Sequence, residues 1–439
     1  MAESNVALRG ERMMTTRELR SHIAAAMRLQ NVGVLLGAGA SHEVGGKTMS
    51  EVWTDFEQSS PDGLQWLIAE GFVTKSDGDA AGVNVETLLD TLRTAEAEWE
   101  RQKAKGLDKL RLHRLALLRT LVSATLLDRK LFGHPTRCDD AESLSTHRKL
   151  LGRLVASRQP GQPAPWAFTL NYDLALEWAA ESMRLMAING FSGLHNRTFA
   201  PHNFDLAYRN VLARGEARFG SYHFYLAKLH GSLTWRLNQE GHVREVACNA
   251  IWGKLKKLVD NEVGAEWPDL VVMPGTSKYM QTTDYLFGEL FRRLGDFLAR
   301  PQTTILINGY GFGDVHVNRV LLSALQNPTL QMIIYAPEVS FDKAAKIDEV
   351  SLDKAGSELS KFVKLQSPQV TVVGNADRAH FEEFVRDLPE PTLLDEFSER
   401  ARALLAPLLK LSAVNETTDD DEMENGIGPQ EVRRGRIDL

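Results

Sequence analysis

The sequence predicts an α/β protein, a Rossmann-like doubly wound parallel sheet carrying a large helical insertion, and three observations predict it. Strand-sized apolar runs alternate with helical periodicity over most of the chain, at Val32 to Leu36, Trp166 to Leu170, Tyr225 to Leu229, Thr303 to Ile307, Gln331 to Tyr335 and Val370 to Val373. Four of these runs lead into polar or glycine-rich clusters, GAGAS at 37 to 41, NYD at 171 to 173, HGS at 230 to 232 and GYGFGD at 309 to 314. Between the first two clusters, residues 48 to 157 are dominated by helical spacing, as in NVETLLDTLRTAEAEWE with Val85, Leu88, Leu89 and Leu92 in phase.

The elements follow in order. Residues 1 to 14 read as a flexible arm, and Thr15 with Glu18 forms a capping box that opens the helix TTRELRSHIAAAMRLQ. Val32 to Leu36 suits a strand buried on both faces, and Gly37 and Gly39 would let backbone amides approach a pyrophosphate, helped by the positive end of a following helix. His42 stands where GxGxxG would place its third glycine, so this turn alone reads equally as a tight strand-to-helix connection. Asn171 closes a strand ahead of the helical LALEWAAESMRLM. Residues 188 to 221, rich in Gly, Asn, His and Phe, form a loop-rich excursion that reads either as a lid or as a packed loop. Leu270 to Met273 is a short strand, Asp284 to Ala299 a helix, and Asp314 the N-cap of VHVNRVLLSALQN. The domain reading is an N-terminal arm and helix at 1–30, a binding and catalytic domain at 31–375, C-terminal helices at 376–411, and a solvated acidic tail at 412–439 around Asp419 to Glu424.

Bulk properties bound the function. The 439 residues, 43% hydrophobic and 25% charged, are those of an ordinary globular protein, and a net charge of −7 leaves nucleic-acid contact to a local patch at most. No apolar run approaches the roughly 20 residues that span a bilayer. Charges occupy the first residues where a signal peptide needs an apolar core, so the expected location is the cytoplasm. Two cysteines, Cys138 and Cys248, exclude a four-cysteine zinc module and make a disulfide framework unnecessary. No metal is expected.

In an open α/β sheet, ligands bind outside the carboxyl ends of the strands, so the four clusters converge on one crevice. Taken in order, LLGAGAS at 35 to 41, FTLNYD at 168 to 173, KLHGSLTW at 228 to 235 and INGYGFGD at 307 to 314 resemble the sirtuin superfamily, specifically its divergent bacterial sirtuin-like NAD hydrolases. NVETLLDTL at 84 to 92 resembles the helix that follows the first motif in that branch. The resemblance implies that Gly37, Ala38, Gly39 and Ser41 hold the NAD pyrophosphate and that Asn171 is the catalytic amide. It implies that His230 is the catalytic histidine and Ser232, in the same motif, a cofactor-binding residue, that Asp173 sits near the nicotinamide ribose, and that Gly309, Gly311 and Asp314 lie beside the adenine-side ribose. From the residues alone, Asn171 could close an Asx turn, and Asp173 and Asp314 could simply cap helices. His42, His195, His202, His223 and His316 carry no such motif. The chain lacks the proline-aspartate-phenylalanine-arginine segment and the zinc module of deacetylating sirtuins, which argues against deacetylation.

Cleaving the nicotinamide glycosidic bond passes through an oxocarbenium-like state, so the site must orient ribose hydroxyls and supply a nucleophile. An amide such as Asn171 can donate and accept at once, and His230, titrating near neutrality, can take a proton from water or a ribose hydroxyl. The expected activity is hydrolysis of NAD+, as substrate, to nicotinamide and linear or cyclised ADP-ribose. The resemblance further implies an effector of anti-phage defence that depletes NAD+, acts as a homo-oligomer and is restrained by a partner. About sixty residues beyond the last strand leave too little chain for a built-in sensor, so a separate partner is expected, and a HerA-type ATPase is preferred over an Argonaute-type protein because no nucleic-acid-binding extension is evident. The rival readings are a module that senses NAD or ADP-ribose without turnover, and a nuclease within a defence complex.

Overall fold

In a computed structural model of the chain, the described residues are 5–74, 85–127, 144–159, 161–208, 223–238, 240–262, 270–272, 280–341 and 357–390. The chain opens with strands β1 (Asn5–Arg9) and β2 (Arg12–Thr15), then helix α1 (Thr16–Ala26) and β3 (Asn31–Leu36). Helices α2 (Met49–Ser59), α3 (Pro61–Ala69), α4 (Val85–Gln102), α5 (Leu107–Thr125) and α6 (Ser145–Ala156) precede β4 (Trp166–Thr169). Helix α7 (Ala175–Ser182) is followed by β5 (Met186–Ile188), β6 (Phe191–Ser192), β7 (Arg197–Phe199), β8 (His223–Lys228), β9 (Gly231–Leu237) and β10 (Val243–Glu245). Next come α8 (Cys248–Val259), β11 (Leu270–Val272), α9 (Met280–Ala299), β12 (Thr303–Asn308) and α10 (Val315–Ala324). The last elements are β13 (Leu330–Tyr335), α11 (Ser357–Lys364), β14 (Val370–Val373) and α12 (Phe381–Asp387), all within one unit, Met1–Pro389.

Nine strands form the main sheet in the order β2-β1-β14-β13-β12-β3-β4-β8-β5, and those from β14 to β5 pair in parallel. Every residue of β3 and of β12 is buried, as expected of parallel strands covered by helices on both faces. From β3 the chain works outward through β4 and β8 on one side, and from β12 through β13 and β14 on the other. Strand order therefore reverses between β3 and β12, and their carboxyl ends open into a crevice at that switch point. The fold is the doubly wound parallel sheet that the alternation predicts, and every described element between β3 and β4 is helical.

Two local expectations are corrected. Residues expected in a flexible arm form a hairpin instead: β1 pairs antiparallel with β14, in register Ala7 with Val373, and β2 closes on β1. The cause is apolar, since Val6, Ala7 and Leu8 are buried, while Gly10 at φ +58° supplies the left-handed residue of the two-residue connection. The excursion from 188 is not wholly loop, because β6 and β7 join β10, β9 and β11 in a second, antiparallel sheet. The helix expected at 391–411, the acidic tail, Cys138 and the excursion from 209 to 222 lie outside the described residues.

Candidate active site

The two glycine clusters are locked to each other. The amide of Gly37 donates to the Asn308 carbonyl and that of Gly39 to the Gly309 carbonyl, both at 3.0 Å. A Cβ on Gly37 would sit 2.4 Å from the Gly309 oxygen, and one on Gly39 2.8 Å from the Gly309 Cα. These glycines therefore let the turns after β3 and β12 touch backbone to backbone, with the Gly37 and Gly39 amides engaged by the Asn308 and Gly309 carbonyls. The following element is a seven-residue 3-10 helix, Ala38–Val44, whose dipole is correspondingly small.

Asn171 follows β4 and reaches back across this turn. Its Nδ2 donates to the Gly37 carbonyl and to Ser41 Oγ, each at 3.0 Å. Because the carbonyl can only accept, the amide is fixed with its nitrogen inward, and among the described residues Oδ1 is left as an acceptor. Ser41 Oγ in turn donates to Asp173 Oδ2 at 2.7 Å, while Asp173 Oδ1 accepts from the Ala175 amide at 3.0 Å. Asp173 is buried with both oxygens spent within the protein, so it supports Ser41 and the turn into α7. Lys228 Nζ reinforces this loop from behind, donating to the Asp173 carbonyl and, at 2.9 Å, to Glu177.

His230, just past β8, is held between two carboxylates. Its Nε2 lies 2.8 Å from Asp314 Oδ2 and its Nδ1 lies 3.5 Å from Glu86 Oε1. Asp314 Oδ1 accepts from the amides of His316 and Val317, capping α10. Tyr172 donates its hydroxyl to the same Glu86 oxygen at 2.5 Å. Burial alone would lower the His230 pKa, but the hydrogen bonds to Asp314 and Glu86 outweigh it and raise the value to about 9. Burial pushes Glu86 and Asp314 upward, yet the bond to His230 leaves both below the ordinary carboxylate value. At neutral pH the three groups thus carry one net negative charge, and His230 is an imidazolium, which corrects the expectation that it titrates near neutrality.

These groups line a cavity of about 1000 Å³ at the switch point, at the upper end of the range for small-molecule sites and roomy enough for a dinucleotide. Gly37, Ala38, Gly39, Ser41, Asn171, Asp173, His230, Gly309, Gly311 and Asp314 all border it. Ser232 does not: its hydroxyl is fully buried and bonds Thr234 Oγ1 at 3.1 Å. The lining also holds Glu86 and Tyr172, for which the sequence offered only a helical period and the middle of a tripeptide, and it holds His42, Lys47, Glu338 and His380. Among the described lining residues six carboxylates accompany a single ammonium, that of Lys47. Carboxylates suit ribose hydroxyls and a cationic nicotinamide ring, and Lys47 suits a pyrophosphate. The donor set fits NAD+.

Comparison with known families agrees with this geometry. A family model described as SIR2-like domain matches residues 165–356, a span that contains Asn171, His230 and Asp314. The match supports a Sir2-like protein and, with it, NAD-related chemistry in general. The first glycine turn and Glu86 precede the matched span, but the bonds from Gly39 to Gly309 and from Asn171 to Gly37 tie that turn to it. No curated protein matches the chain. Among the described residues, no helix is long and apolar enough to cross a membrane, and no group of three or more His, Cys, Asp or Glu side chains could hold a metal ion.

Proposed function

We propose that the chain is an NAD+ glycohydrolase that releases nicotinamide and ADP-ribose. One observation carries the reading most directly: Asn171, fixed by Gly37 and Ser41, and His230, fixed by Asp314, border the same cavity at the switch point of the sheet. NAD+ supplies a glycosidic bond to a leaving group that is already cationic, so the protein need not protonate it. Asn171 Oδ1 is the acceptor that orients a ribose hydroxyl or the attacking water. The anionic set of Glu86, His230 and Asp314 stabilises positive charge developing on the sugar. His230 first releases its Nδ1 proton to water in the cavity and then takes the nucleophile's proton at the same nitrogen, because Nε2 is committed to Asp314 at 2.8 Å while the Nδ1 contact is loose at 3.5 Å.

The wider setting follows from the motif resemblance. The chain acts as the toxic effector of an anti-phage defence system, depleting NAD+ in infected cells, as a homo-oligomer restrained by a partner protein, with a HerA-type ATPase preferred. The test follows NAD+, nicotinamide and ADP-ribose by chromatography with purified protein, alone and with that ATPase, for the parent chain, Asn171→Ala and His230→Ala. Expected is loss of NAD+ that falls by at least about a hundredfold in both variants. Undiminished loss in both would overturn the site assignment, and bound but intact NAD+ under every condition would make the chain a sensing module. Failure of the two proteins to co-elute would remove the ATPase.

A further inference from the structure

Glu86 is brought to the cavity by the helical insertion, not by any of the strand-end motifs. It lies in the first turn of α4, whose Val85, Leu88, Leu89 and Leu92 are buried, so the packing of this helix on the domain decides where the carboxylate stands. Its Oε1 accepts from Tyr172, the middle residue of NYD, and lies 3.5 Å from His230 Nδ1, next to the residue that begins β9. Tyr172 is fully buried and closes over this contact, with its ring centroid 6.4 Å from that of His230. One oxygen from the insertion thus joins two motifs that lie on different strands of the sheet.

Resting on the reading of His230 as the group that handles the proton, we propose that Glu86 is the positioning residue for His230, so that the helical insertion is a structural part of the catalytic site. Asp314 fixes one ring nitrogen through the α10 N-terminus, and Glu86 fixes the other through α4. With both contacts made, the imidazole plane cannot rotate, and neither nitrogen is open until the weaker Glu86 contact is exchanged for a hydroxyl in the cavity. A shift of α4 relative to β4 would break the Tyr172 and His230 contacts together. The ionisable groups facing the ring are Glu86 from α4, Asp314 from the α10 cap and Tyr172 from the turn after β4. The elevated His230 pKa agrees with two carboxylate neighbours.

The test compares the parent chain with Glu86→Gln, and with His230→Gln to assign the signal, by NMR titration of carbon-13 histidine in the full-length protein. The midpoint of His230 is expected to fall by at least one pH unit in Glu86→Gln, a tenfold loss of proton affinity, and the pH profile of NAD+ cleavage is expected to move by the same interval. An unchanged midpoint in a folded Glu86→Gln protein would overturn the proposal. Tyr172→Phe, which keeps the carboxylate and removes only its donor, serves if Glu86→Gln does not fold: the His230 midpoint should then rise, because an unshared carboxylate attracts the imidazolium more strongly, and no change overturns the proposal. The titration needs no substrate, so a shifted midpoint in a chain that never cleaves NAD+ would sink the glycohydrolase reading alone.

Discussion

Asp314 divides its carboxylate between two tasks: Oδ2 lies 2.8 Å from Nε2 of His230, and Oδ1 caps α10 through the amides of His316 and Val317. A residue whose motif implied an adenine-side ribose contact therefore orients His230. Asp314→Asn separates the tasks, since asparagine is an equally good N-cap but brings no charge to the imidazole. kcat/KM for NAD+ should fall by about a hundredfold or more, while the α10 cap is kept and stability falls by no more than the His230 contact contributes, on the order of 3 kcal/mol. Steady-state kinetics beside thermal melts check it, and a large stability loss with intact kcat/KM would reverse the assignment.

The raised pKa of His230 has a consequence for stability. Its folded value of about 9 exceeds the ordinary histidine value, so the folded state binds the extra proton between the two. The stabilisation is fully present below pH 6.5 or so and is lost as pH rises through about 9. It amounts to something on the order of 3 kcal/mol for this buried group. Denaturant unfolding at pH 6.5 and pH 9.5 should show this loss in the parent chain and a flatter dependence in His230→Gln.

Gly309 is the tightest point of the two-turn lock. It has φ +68°, and a Cβ there would sit 2.4 Å from the Ala40 nitrogen. Gly309→Ala combines left-handed strain with a backbone clash, neither of which a side chain can relieve, and should destabilise the domain by about 3 kcal/mol or more. Gly311→Ala is the control, because nothing lies within 4 Å of its Cβ position. Equal melting temperatures for the two variants would show that the turns are not held in register by this contact.

The sheet, and the meeting of its strand-end clusters at one cavity, were legible in the sequence because both rest on short-range signals. Buried parallel strands are apolar runs, and the groups at their carboxyl ends follow immediately in the chain, so the sequence alone places Asn171, His230 and Asp314 at strand ends. What escaped depends on distant packing. Nothing local distinguishes Glu86 from any acidic residue in the first turn of a helix; only the seating of α4 against NYD brings it to His230. Likewise the strand character of Asn5–Arg9 rests on β14, more than 360 residues away, although the Gly10 turn between two apolar runs was a usable hint. The charge of His230 is hidden for the same reason, since it is set by two carboxylates remote in sequence.

Lys47 supplies the remaining prediction. It is the one ammonium among the described residues lining a cavity with six carboxylates, and it rests 2.5 Å from Asp55 at a half-exposed position. An anionic pyrophosphate entering this cavity needs a cation, and the Gly37 and Gly39 amides are already taken by the Asn308 and Gly309 carbonyls. Lys47→Met should therefore weaken ADP-ribose binding about tenfold, the value expected of one charge-assisted contact screened by solvent. The same variant should raise KM for NAD+ with kcat little changed, because a pyrophosphate contact is made equally in ground and transition states. Asp55→Asn releases the lysine from its resting partner and should bind ADP-ribose as tightly as the parent chain or more so. Calorimetry at two salt concentrations checks both variants: affinity of Lys47→Met should depend less on salt than that of the parent, and an unaltered dissociation constant would move the pyrophosphate away from the Lys47 wall of the cavity.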